Sequence, residues 1–173
     1  VSLSATQVQD ITAWVHAGGN LIAFKPDNQL NALLGVIQQP SVMGNQYLKI
    51  DTSTAPGKGI FGDTMQYHGA ANGYTLAGAK SIANFYSNAT TSTPYPAITT
   101  HMQGSGSAVA FSYNLPESIV LTHQGNPACV GNKPYADSDG PMRPDALFRC
   151  NASPNWLDVT KAHIPQADEQ QRL

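Results

Sequence analysis

Five histidines, eleven carboxylates and two cysteines are the residues of this 173-residue chain best equipped for chemistry. His68 is followed by Gly69, and His123 stands just before Gln124-Gly125. Turns of this kind, after a strand or helix, are where α/β sheets tend to hold functional groups, so either imidazole is a candidate general base. The same setting suits a hydrogen-bonded structural histidine. Asp137-Ser138-Asp139-Gly140, with Asp145 beyond it, clusters the carboxylate oxygens that calcium prefers. The EF-hand pattern nevertheless fails: counting from Asp137, position five is Pro141 and position twelve is Phe148, where a bidentate glutamate is required. No cofactor is therefore expected, with a non-standard calcium site on Asp137, Asp139 and Asp145 as the lesser alternative to plain turn-forming residues. Cys129 and Cys150 close a loop of about 20 residues, which as a disulfide would stabilise the fold by roughly 3 kcal/mol in an oxidising compartment. Two separate core cysteines, or a reactive thiol at Cys129, are the alternatives. Neither Cys-x-x-Cys nor His-Glu-x-x-His occurs, and neither does Gly-x-Ser-x-Gly or a phosphate-binding loop.

Charged residues make up 12% of the chain and the net charge is -2. The nine Lys and Arg residues are scattered from Lys25 to Arg172, so the basic patch that nucleic acid requires is missing and that partner is set aside. No apolar run approaches the roughly 18 residues that span a bilayer. A surface filled by Ser, Thr, Asn, Gln and Gly instead of charge suggests a secreted or extracytoplasmic protein. Tyr67, Tyr74, Tyr86, Tyr95, Tyr113 and Tyr135, with amides such as Gln124 and Asn126 at hand, are candidates for stacking on sugar rings. The plainer alternative is that they are ordinary half-buried strand tyrosines. Asn88-Ala89-Thr90 and Asn151-Ala152-Ser153 are glycosylation sequons, the second weakened by Pro154.

The elements that would position these residues are clearest near the start. Ser4-Ala5-Thr6-Gln7 is a capping box, and Val8, Ile11 and Val15 share one face of the helix it opens; Gly18-Gly19 stops that helix. Asn20 to Phe24 is a continuous apolar strand, expected to be central, parallel and buried on both sides. Asp27 caps a short helix carrying Leu30, Leu33 and Leu34, which Gly35 ends. Tyr47 to Ile50 and Thr64 to Tyr67 are short strand-like pieces, whereas 79–86 is ambiguous between helix and strand. Residues 97–102 and 107–113 form a hairpin about Gly104-Ser105-Gly106, and Pro116 starts a helix. From 124 to 155 the chain is one long irregular loop, with helix returning after Pro165.

The Trp14-Val15-His16-Ala17-Gly18-Gly19-Asn20-Leu21-Ile22 passage resembles the class I glutamine amidotransferase-like (flavodoxin-like) superfamily, as does the later run from Gly104-Ser105-Gly106 to Tyr113 with its following helix. The segments His68 to Tyr74, Gln124 to Ala128 and Ile164 to Gln171 add to the likeness. The resemblance implies a three-layer α/β sheet, incomplete at its N-terminus, in one domain spanning 1–173 of a longer protein. It further implies a module of large secreted bacterial proteins that handle carbohydrate. Active members would carry a Gly-x-Cys-x-Gly elbow and a later His-x-Glu pair; Pro127-Ala128-Cys129-Val130-Gly131 matches only half of the first, and the second is missing. The expectation is thus a non-catalytic module that binds carbohydrate or assembles with neighbouring domains or copies of itself, its ligand held by Tyr74, Gln124, Asn126, Asp137, Asp139 and Asp145. The alternative is a hydrolase acting on a glycan or amide through His68, His123 and the acidic loop.

Overall fold

In the computed structural model the described residues are 2–44, 46–60, 64–88 and 90–124, with side chains described as far as residue 120. Helix α1 (Ala5–His16) opens with both halves of the expected capping box, the Gln7 amide donating to Ser4 Oγ at 3.2 Å and the Ser4 amide to Gln7 Oε1 at 2.8 Å. Strand β1 (Asn20–Phe24) follows, then a 3-10 turn (Asn28–Leu30) and a single turn of helix, α2 (Asn31–Leu34). Gly35 ends α2 at φ +62°, a left-handed stop that glycine adopts without strain. The remaining strands are β2 (Val36–Gly44), β3 (Tyr47–Ile50), β4 (Met65–Gln66), β5 (Ala70–Leu76), β6 (Lys80–Tyr86), β7 (Ser92–Gln103) and β8 (Gly106–Phe111), after which α3 (Leu115–Gln124) closes the described chain.

Six strands form one sheet in the order β1-β8-β7-β6-β3-β4, and β2 pairs with β5 in a second. Among the described strands only β1 and β8 run parallel; the pairings from β8 through β7, β6 and β3 to β4 are antiparallel. This corrects the expected three-layer flavodoxin-like sheet. A doubly wound sheet repeats helical crossovers between parallel strands, whereas here short turns at 104–105 and 87–91 fold the strands back on themselves, as antiparallel neighbours allow. Strand β1 is real and has a parallel partner, but it lies at the edge of the sheet rather than its centre. Ile22 is 61% exposed and Phe24 41% exposed. An apolar run reports that a segment is able to be buried, not that something covers both of its faces.

The two faces of β8 sort the core. Ala108 and Ala110 join Val15 of α1, Leu30, Leu33, Leu34, Val36, Tyr74 and Ala79 on one side. Phe111 points to the other, where Leu48, Met65, Tyr67, Phe85, Ile98, Tyr113 and Leu115 pack. On that second face Ile22, Ile50, Pro56, Ile82, Ile98, Val109 and Phe111 line an apolar cavity of about 200 Å³. Small residues on the first face allow α1 to lie directly on the sheet. A Cβ built on Gly106 would stand 2.2 Å from both Val15 O and Gly19 O, so no larger residue fits the existing backbone. Gly106→Ala is accordingly expected to destabilise the protein by about 1–3 kcal/mol or more through overpacking. A chemical-denaturation midpoint unchanged by the substitution would show that α1 does not rest on β8.

Asp27 fastens the chain entry to the first turn after β1. Its carboxylate accepts from Gln29 N at 2.9 Å and Leu3 N at 3.0 Å, while Gln29 Nε2 donates to Leu3 O at 2.7 Å. The backbone donors of Gln29 and then Leu3 hold the Asp27 carboxyl below its ordinary value of 3.8. A depressed folded-state pKa gives stability that is present above the unfolded value and is lost as pH falls through the folded one. Acid unfolding below pH 3.8 should therefore lose part of its steepness in Asp27→Asn, measured as the thermal midpoint against pH. Parallel curves for the two proteins would remove Asp27 from the acid transition.

Candidate functional site

The carboxyl ends of the parallel pair, β1 and β8, point to the same side of the sheet, the side where open α/β sheets most often receive ligands. At the end of β1, Lys25 takes φ +44°, the only non-glycine residue with positive φ among the described residues, and it does so directly before Pro26. Residues before proline favour extended backbone, so this geometry stores strain of about 1–3 kcal/mol. It is held by the Lys25 amide donating to Phe111 O at 2.8 Å, which extends the parallel ladder one residue past the strand. The Lys25 side chain is exposed.

At the end of β8 the chain changes partners. Ser112, fully buried, donates from its amide to Ala97 O at 2.9 Å and from Oγ to Pro96 O at 2.9 Å, while its carbonyl accepts from the Asn72 amide at 2.8 Å. Tyr113 then bridges Ala71 of β5. Asn114 caps α3, its Oδ1 accepting from Glu117 N at 3.3 Å. The first turn of α3 is thereby laid over the corner between β4 and β5. There Ser118 Oγ accepts from His68 N at 2.9 Å, joining residues fifty positions apart, and the Glu117 carboxylate lies against Gly69, whose φ is +92°. His68 is 5% exposed, Ser118 is buried, and Glu117 is exposed.

Beneath this corner lies an aromatic floor. Tyr67 stacks with Phe85 at 4.8 Å and with Tyr113 at 5.1 Å between ring centroids, and Phe111 continues the row from Tyr113 to Phe24. Burial pushes the Tyr67 phenol well above its ordinary range; burial and then the neighbouring Tyr67 do the same to Tyr113. Neither phenol oxygen has a hydrogen-bond partner among the described residues. Both rings are fully buried, as is Tyr74, whose hydroxyl accepts from Asn72 Nδ2 at 3.1 Å. Three of the six tyrosines expected to stack on sugars are therefore core residues, while Tyr86 and Tyr95 are half-buried.

Of the expected site residues, His68 stands at this corner and Tyr74 lies in the core. His123 and Gln124 belong to the last turn of α3, with side chains outside the description. Asn126, Cys129, Asp137, Asp139, Asp145 and Cys150 lie outside the described residues, and with them the disulfide and calcium expectations. Among the described residues no three His, Cys, Asp or Glu side chains are grouped to hold a metal. No described helix is long and apolar enough to cross a membrane. Lys25, Glu117 and Ser118 were not singled out from the sequence. The Lys25-Pro26 pair was the one signal that could have marked the first.

No protein-family model matches the chain, and no curated protein does. Solved structures do share its fold. A β-galactosidase from Rahnella sp. R3 superposes with a TM-score of 0.53 at 16% identity, over 64% of this chain and 18% of that one. The carbohydrate deacetylase Agd3 gives 0.50 at 20% identity, over 69% and 20%. A cytoplasmic protein of Salmonella typhimurium, STM3548, gives 0.50 at 13% identity, over 66% and 52%. At these identities the likeness concerns the fold alone. The chain spans about a fifth of the length of the β-galactosidase and the deacetylase. With the antiparallel sheet order, these neighbours overturn the assignment to a flavodoxin-like amidotransferase arrangement.

Lys25→Gly should raise stability by relieving the left-handed backbone, measured as the chemical-denaturation midpoint. A denaturation midpoint that falls on the substitution would show that the Lys25 side chain contributes more to the fold than the strain costs.

Proposed function

We propose that the chain is part of a hydrolase acting on carbohydrate, and that the corner formed by His68, Ser118 and Glu117 is where it meets the glycan. The observation that carries this is the convergence of the three residues, from segments fifty positions apart, at the carboxyl side of β8. His68 joins this corner through its backbone amide, and Glu117 brings to it an exposed carboxylate, a group that general acid and base catalysis uses. The neighbours of similar fold include a β-galactosidase and a carbohydrate deacetylase, which supports glycan as the substrate class. A chain with only 12% charged residues suits work outside the cytoplasm.

A second reading, a glycan-binding module without catalysis, is favoured by one specific observation: the likeness covers only about a fifth of each of those enzymes. The two separate experimentally. The protein is assayed for hydrolysis of β-galactosides and N-acetylated glycans and, in parallel, for glycan binding, with His68→Ala and Glu117→Gln beside the native chain. A hydrolytic corner predicts a fall in kcat of about 10²–10⁴ in either variant with retained circular dichroism. Binding without turnover in the native protein, weakened by Glu117→Gln, would establish the module instead. A native protein that neither binds nor cleaves these glycans would end both readings.

A further inference from the structure

The turn between β6 and β7 carries one of the two sequons and leaves the sheet at the same end as the corner just described, two strands away, since Tyr86 and Gln66 both pair with Tyr47. Tyr86 pairs with Ser92 to close the hairpin, and the Ser87 amide donates to Thr91 O at 2.9 Å. Within that frame Asn88 Oδ1 accepts from Thr90 N at 2.9 Å, Thr90 Oγ1 at 3.2 Å and Thr91 N at 2.8 Å. Asn88, Thr90 and their neighbours Ser87 and Thr91 are all exposed. The carboxamide oxygen is thus committed to the turn, which leaves Nδ2 as the atom of the amide facing solvent. The turn also holds the Thr90 hydroxyl beside the amide, so the two side chains that define the sequon are offered together on an exposed turn.

We propose that Asn88 is an N-glycan acceptor, modified when the chain passes through a compartment that supplies an oligosaccharide on a lipid-linked diphosphate. In the transfer, Asn88 Nδ2 forms a bond to the anomeric carbon of the first sugar. The bond from that carbon to the phosphate oxygen breaks, and the lipid diphosphate leaves with the electron pair. The proton lost from Nδ2 passes to a base of the transferase. No atom is oxidised or reduced. The second sequon, Asn151-Ala152-Ser153, is followed by Pro154, a ring that restricts the backbone the transferase must grip, so Asn88 is the acceptor of the pair. A glycan here would extend from the hairpin tip into solvent, and the assignment holds whether or not the His68 corner binds carbohydrate.

The test is secretion of the chain from a eukaryotic cell, followed by intact mass measurement before and after treatment with an amidase that cleaves N-glycans. One discrete loss of mass is expected, with Asn88 converted to aspartate in the peptide map. Asn88→Gln and Thr90→Ala should each abolish the loss, Thr90→Ser should retain it in part, and Asn151→Gln should leave it unchanged. Two routes to the same loss guard against a variant that fails to fold, since Thr90→Ser keeps the turn's hydroxyl. A folded, secreted protein whose mass is unmoved by the amidase, or one whose only glycan maps to Asn151, would overturn the assignment.

Discussion

Ser112 is the crossing point on which the architecture turns. A buried serine with its amide, hydroxyl and carbonyl all engaged ties β8 to Ala97 and Pro96 of β7 and to Asn72 of β5. The partners belong to two strands of different sheets, so the residue fixes how the two-stranded sheet sits against the larger one. It also sets the direction in which the chain leaves β8. The next two residues bridge β5 and cap α3, and from that cap the helix delivers Ser118 to His68. An isosteric apolar residue here would leave the Pro96 carbonyl buried without its donor, a penalty larger than the bond itself contributes when made.

What could be read from the sequence was what local chemistry decides. The capping box at Ser4 and Gln7, the left-handed stop at Gly35 and the hairpin at Gly104 are set by neighbours in sequence, and each is present in the fold. The failures have physical causes of their own. Strand β7 begins at Ser92, earlier than the apolar pattern suggested, because Pro94 and Pro96 look like breakers; the β6 register is irregular opposite Pro96, which is where a sheet tolerates a residue without an amide donor. Strand β2 is not legible in the sequence because Gln38, Gln39, Pro40 and Ser41 interrupt its apolar pattern, and its pairing with β5 shifts between Gln39 and Val42. The candidate site was half legible. His68 could be flagged by the glycine beside it, but its partner Ser118 is met only across the fold, and nothing near Lys25 announces a positive φ except the proline that ought to forbid one.

The same division explains why resemblance by motif pointed to the wrong layer order. A helix, a Gly-Gly turn and a strand recur in many sheets, because they record how one helix packs on one strand. They carry no information about the direction of strands further along. Four antiparallel pairings in succession decide the class of sheet, and two of them, β6 with β7 and β7 with β8, depend on short reversals that contain no shared signature.

The parallel ladder between β1 and β8 has a consequence during synthesis. Asn20 meets Ser107, eighty-seven residues later, through a 2.7 Å side-chain hydrogen bond as well as the strand pairing. Chain elongation at about 5–20 residues per second separates the emergence of the two strands by roughly 4–17 s. Through that interval the face of α1 bearing Val15 and the apolar strand beside it have no sheet to rest on. The last hairpin of the sheet gives α1 and β1 their place, so the nascent protein carries this apolar segment as an open debt to any holding chaperone until residue 111 has cleared the ribosome.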